Sequence, residues 1–120
     1  MMGWGMKRKS ILVVAANPTM RALLMLFLGG RGFQVEEAMN DVEAIHKIST
    51  ASFDLVLLDR DQGKRCGNWL TAHIAASGQS TPLLALAAPE DFLDLPQART
   101  LAKPFRMQSL TTMIQVLANP

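Results

Sequence analysis

Phe53-Asp54-Leu55-Val56-Leu57-Leu58-Asp59 is the stretch whose reading decides the fold. Four apolar residues run unbroken and stop at a carboxylate, Asp59. A short apolar run bounded by polar residues predicts a strand buried on both faces. Open α/β sheets bind their ligands beyond the carboxyl ends of the strands, so Asp59 stands where such a sheet presents its chemistry.

Ile11-Leu12-Val13-Val14 is a second short apolar run and predicts a second buried strand. Asn17-Pro18 then signals a helix start, because Asn caps free amides and Pro fits the first turn. This helix carries Met20, Leu23, Leu24, Phe27 and Leu28 on one face and stops at Gly29-Gly30 or Gly32. Ala22, Met25, Leu26 and Gly29 also fall at helical spacing, so little of the helix is polar. Exposed apolar area of this kind marks interfaces, which makes Ala22, Met25 and Leu26 a candidate interaction surface. The competing reading is that the leading residues, with Trp4 and Met6, fold over it.

Phe33-Gln34-Val35-Glu36-Glu37-Ala38 alternates as a strand nearer an edge does. Asn40 and Glu43 have capping-box spacing, and Ala44, Ile45 and Ile48 form the apolar face of the helix that follows. After Asp59 come a polar loop, Arg60 to Cys66, and a helix opened by Gly67-Asn68, running through Ala76 and stopping at Gly78. Pro82 to Ala87 reads as a fourth strand. The two prolines in the segment Pro89 to Pro96 leave room for little more than one helical turn. A short strand around Thr100-Leu101-Ala102 leads into Lys103-Pro104-Phe105. The last helix shows Leu110, Met113, Ile114 and Leu117 at i, i+3, i+4 and i+7. Trp69 and the methionines read as core filler or local packing, and His46 and His73 stand without ligand spacing.

Strands alternating with helices predict an α/β domain with a doubly wound, five-stranded parallel sheet. The expected order is the flavodoxin-like 2-1-3-4-5, with a shortened fourth helix. At 120 residues, 49% hydrophobic and 18% charged, the chain suits one folded domain over residues 10–120. Residues 1–9 are expected to be a flexible tail. A net charge of +2 is too weak to imply nucleic-acid binding. The single Cys66 excludes an internal disulfide, so a reducing, cytoplasmic location is the expectation. The apolar run after Lys7-Arg8-Lys9 is short for a signal peptide, and Ala22 to Leu28 is short for a membrane span.

Together these residues resemble the receiver domain of bacterial response regulators, the CheY-like domains of two-component phosphorelays. The resemblance rests on Ile11 to Val14, Asn17-Pro18, Gly32 to Val35, Asp54 to Asp59, Gly67, Pro82 to Leu86 and Lys103-Pro104-Phe105. In that family two acids after the first strand and the phospho-accepting aspartate hold magnesium. A Ser or Thr after the fourth strand binds the phosphoryl group, and a lysine neutralises it. The resemblance places the acceptor at Asp59 and the lysine at Lys103. It places the acidic pair at Ala15 and Ala16, the hydroxyl at Ala87, the switching aromatic at Thr100 and a common proline at Gly63.

Phosphoryl transfer to a carboxylate relies on positioning and charge compensation, and magnesium demands oxygen ligands. Alanines supply none. The implied protein is therefore a degenerate, pseudo-receiver module that works by protein–protein interaction and is not an enzyme. Its expected partner is a histidine kinase, another signalling protein or a second copy, with no nucleic acid and no membrane. No cofactor is expected, and magnesium at most weakly. The bland role for Asp59 is a structural carboxylate paired with Lys103. The alternative is a working phosphoreceiver using Asp59. More remotely, Asp59-Arg60-Asp61 resembles the first motif of haloacid-dehalogenase-type phosphatases, with Asp59 as nucleophile and Asp61 as general acid. Arg60, Lys64, Arg65, Arg99, Lys103 and Arg106 would form a basic rim, either merely solvated or docking an acidic partner.

Overall fold

A computed structural model describes residues 8–60, 67–91 and 98–118. The chain alternates β1 (Ser10–Val14), α1 (Pro18–Gly30), β2 (Gln34–Ala38), α2 (Asp41–Thr50), β3 (Leu55–Asp59), α3 (Asn68–Ser77), β4 (Leu83–Ala87), β5 (Ala98–Ala102) and α4 (Met107–Ala118). All four strand pairings are parallel, in the order β2-β1-β3-β4-β5. This is the doubly wound topology that the alternation predicts. Between β4 and β5 the described residues form only a 3-10 turn, Pro89–Asp91, where an ordinary α/β unit would place a helix.

Strand burial follows from position in the sheet. The central strands β3 and β4 are buried at every residue, while the edge strands β2 and β5 are largely open. A parallel sheet covered on both faces needs apolar residues in both directions, which is why Leu55 to Leu58 shows no alternation. Ile11, Val13, Leu55, Leu57, Leu84 and Leu86 meet Leu24 and Leu28 of α1 and Leu110 and Ile114 of α4. On the opposite face Leu12, Val14, Val56 and Leu58 meet Ala44 and Ile48 of α2 and Leu70 and Ile74 of α3. Asp54 fixes the start of β3: its carboxylate accepts from the Ser10 amide at 2.8 Å, and its own amide donates to the Ser10 carbonyl at 2.8 Å.

The helix starts obey local chemistry. Asn17 Oδ1 accepts from the Met20 amide at 2.9 Å, and Pro18 occupies the first turn of α1. Asn40 Oδ1 accepts from the Glu43 amide at 2.8 Å, but the Glu43 carboxylate returns to the Met39 amide, one residue before the expected target. Helix α3 has no side-chain cap of its own. Its first amides are satisfied from another element: Asp41, at the start of α2, accepts from Gly67, Trp69 and Leu70 at 2.7, 2.9 and 3.1 Å. Gly67 has φ +97°, and a Cβ there would collide with Leu58 Cδ2. Gly78 closes α3 in the left-handed region.

Three readings of individual side chains need correcting. Met25 is half-buried and packs against the α1-side core, so it does not belong to the open face of the helix. Leu23, which the periodicity assigns to the core, is 48% exposed, and with Ala22 and Leu26 (79% exposed) it forms that open face. Helix α1 is apolar all round, so spacing alone could not choose which arc meets the sheet. Trp69 is no core filler; it stands 69% exposed. The tail residues Trp4 and Met6, and most of the segment 1–9, lie outside the described residues, as do Asp61, Gly63, Lys64, Arg65 and Cys66.

Candidate functional site

The carboxyl ends of β1, β3, β4 and β5 bring the sequence-predicted positions to one edge. Val14 pairs with Leu58, Asp59 with Leu86, and Ala87 with Ala102. Hydrogen bonds then continue one residue past β1, β3 and β5. Ala15 N donates to Ala38 O at 3.0 Å, Arg60 N to Leu86 O at 2.8 Å, and Lys103 N to Ala87 O at 2.9 Å. Sheet register thus sets Ala15, Asp59, Ala87 and Lys103 around one site.

Within it, Lys103 Nζ lies 2.5 Å from Asp59 Oδ1, with the Asp59 side chain 1% exposed and that of Lys103 26%. The contact is a short-range pairing of charges, without the angles of a directed hydrogen bond. The same ammonium donates to the Arg60 carbonyl at 3.1 Å. A carboxylate this buried is costly unless a counter-ion accompanies it, and Lys103 is that counter-ion. The Lys103-Pro104 peptide is cis.

Magnesium, which the receiver resemblance implies, does not fit the donors that these positions offer. Ala15 and Ala87 are buried methyl groups and Ala16 is an exposed one. None supplies an oxygen where a hard cation needs several. Among the described residues no three His, Cys, Asp or Glu side chains form a group able to hold a metal. Beside the missing acids stands a cation: Arg21 Nη1 donates to the Ala15 carbonyl at 2.8 Å, and its Nε pairs with Glu37 at 2.9 Å.

The expected basic rim is smaller than the sequence suggests. Arg60 is turned inward, donating to the Asp91 carbonyl at 2.9 Å and to Asn68 Oδ1 at 3.0 Å. Arg99 pairs with Leu84 near the amino ends of β4 and β5, away from the carboxyl edge. Arg106 is exposed. Thr100, at the aromatic position, is half-buried opposite Ala85. Beside the ion pair a groove of about 570 Å³ is lined by Met20, Leu23, Ala88, Pro104, Phe105 and Met107, with Arg60 and Lys103 contributing its charge. A smaller recess of about 290 Å³ brings Asn17 and Thr19 over Asp59 and Lys103. Sequence reasoning missed Arg60 and Asp41, whose acceptors and donors lie 26 or more residues away or on another loop.

The family model for the response regulator receiver domain matches residues 11–115. The sensor protein EvgS of Escherichia coli is 34% identical over 82 residues, which is 68% of this chain and 7% of EvgS. The transcriptional regulatory protein DltR of Streptococcus agalactiae is 28% identical over 88% of this chain and 50% of its own length. The chain therefore spans only a part of the curated relatives it matches. Among solved structures, the response regulator TrrA of Thermotoga maritima superposes with a TM-score of 0.79, at 26% identity, over 91% of this chain and 98% of that one. The receiver domain of a Pseudomonas aeruginosa sensor histidine kinase gives 0.81 at 24% identity, over 95% and 100%. The chain belongs to the response regulator receiver family, signalling domains of two-component systems that interact with histidine kinases and other signalling proteins. That membership leaves the phosphatase-like look of Asp59-Arg60-Asp61 without support.

Proposed function

We propose that this receiver-family chain is a cytoplasmic, partner-binding module in which Asp59 is the fixed counter-ion of Lys103 and is not a magnesium-dependent phosphoryl acceptor. The observation that carries the reading is the buried Asp59–Lys103 pair beside alanines at 15, 16 and 87. Acceptance of a phosphoryl group brings negative charge onto a carboxylate, and most of the catalysis lies in compensating that charge. Here the compensating groups left are Lys103 and its neighbours, and Ala87 has no hydroxyl to donate. No helix among the described residues is long and apolar enough to cross a membrane. Exposed apolar side chains support a partner surface on α1. Leu23 on α1 lines the groove with Met20, Phe105, Met107 and Lys103, and Leu26 is exposed on the same helix. A kinase or another signalling protein presenting an apolar helix face would match it.

The second reading, a working phosphoreceiver, draws on family membership and on TrrA, whose structure is of a complex with magnesium and beryllofluoride. Intact mass after incubation with acetyl phosphate and magnesium separates the two. The chain should gain no phosphoryl group, whereas the Ala15→Asp, Ala16→Asp, Ala87→Thr variant should gain one. A phosphoryl adduct on the unaltered chain that disappears in Asp59→Asn would establish the second reading instead.

A further inference from the structure

We propose that Arg60 is an internal cross-brace, a fixed cation that holds the loops at the carboxyl edge of the sheet in place of a bound divalent ion. This rests on the reading that the site takes no magnesium. Arg60 touches four parts of the fold. Its amide donates to the end of β4 at Leu86, and its carbonyl accepts from Lys103 after β5. Its Nε donates to the Asp91 carbonyl in the 3-10 turn, and its Nη1 donates to Asn68 at the start of α3.

The geometry suits a guanidinium and not an ammonium. A guanidinium offers donors in fixed, divergent directions within one plane, so it can hold two acceptors on separate loops at once. This tie adds to the turn's own bond from the Asp91 amide to the Ala88 carbonyl at 2.8 Å. Asp91 Oδ2 is buried and has no hydrogen-bond partner among the described residues, so its carboxylate does not anchor the turn. Its carbonyl, held by Nε of Arg60, does. Lys103 itself disfavours a metal there, because its ammonium stands against the Asp59 carboxylate that a cation would need.

Amide hydrogen exchange on the full chain tests the proposal, read at Asp91 and Thr71, whose amides bond Ala88 and Gly67. Arg60→Gln should speed exchange at both by about tenfold, the loss expected when a hydrogen bond from a charged donor is removed, while the β1 and β3 amides stay protected. Arg60→Lys should fail to restore at least one of the two, and Asn68→Ala should speed Thr71 alone. Unchanged exchange in Arg60→Gln, or full rescue by Arg60→Lys, overturns the brace. In the unaltered chain, millimolar magnesium should leave both amides unchanged. Slower exchange with magnesium would overturn the metal-free reading and this proposal with it.

Discussion

Lys103→Met removes the ammonium that faces Asp59 and keeps most of the apolar stem. The Asp59 side chain is 1% exposed and cannot turn to water. Breaking a buried pair from one side costs about 3–5 kcal/mol. The low end applies here, about 3 kcal/mol, because Lys103 is 26% exposed and solvent screens the pair. Asp59→Asn should cost less, about 1–2 kcal/mol, since the amide keeps the shape and Lys103 can swing outward. The double variant, which buries no lone charge, should return to within about 1 kcal/mol of the parent. The coupling energy would then be about 3 kcal/mol. Urea unfolding followed by circular dichroism reads all four proteins. With a slope of about 2 kcal/mol per molar, Lys103→Met should lower the midpoint by about 1.5 M. A loss under about 1 kcal/mol for Lys103→Met, or losses that simply add in the double variant, would refute the view that the pair is structural.

Gly67→Ala should be among the most damaging small substitutions, at about 2–4 kcal/mol, because it combines φ +97° with a clash against Leu58; a thermal midpoint within a degree or two of the parent would contradict the geometry. Asp41→Ala removes the acceptor of three amides at the start of α3 and should cost about 2–3 kcal/mol. Its exchange signature should be confined to Gly67, Trp69 and Leu70, and a uniform change across the sheet would show that the cap is not what was lost. Leu23→Glu with Leu26→Glu should leave stability within about 0.5 kcal/mol, since both side chains face solvent. Partner capture or sedimentation should change, and no change in either would remove α1 from the list of docking faces.

Much of the fold was legible because its determinants are local. The runs at Ile11 to Val14 and Leu55 to Leu58, the caps at Asn17 and Asn40 and the stop at Gly78 each act within a few residues of themselves. The candidate site was legible as a set of positions, since register alone sets Ala15, Asp59, Ala87 and Lys103 side by side. What the sequence hid was choice among equivalents. Helix α1 offers apolar residues on every arc, so the exchange of Leu23 for Met25 could be decided only by where the sheet lies. Arg60 looks like any surface cation until the Asp91 carbonyl and Asn68 are placed within its reach. Trp69 looks like core by composition, yet the first turn of α3 is pinned through its backbone, leaving the indole outside.

Asn40 and Asp41 are adjacent in the chain and serve different helices, one capping α2 and the other α3. The first cap closes over three residues, whereas the second spans 26 to 29. The start of α2 is thus stabilised from within its own sequence, while the first turn of α3 gains its cap only once α2 has brought Asp41 to it. Substitutions in α3 should then act mainly on the unfolding rate, and those at the start of α2 on the folding rate as well. A single dipeptide thus ties the starts of two helices together on this face of the sheet.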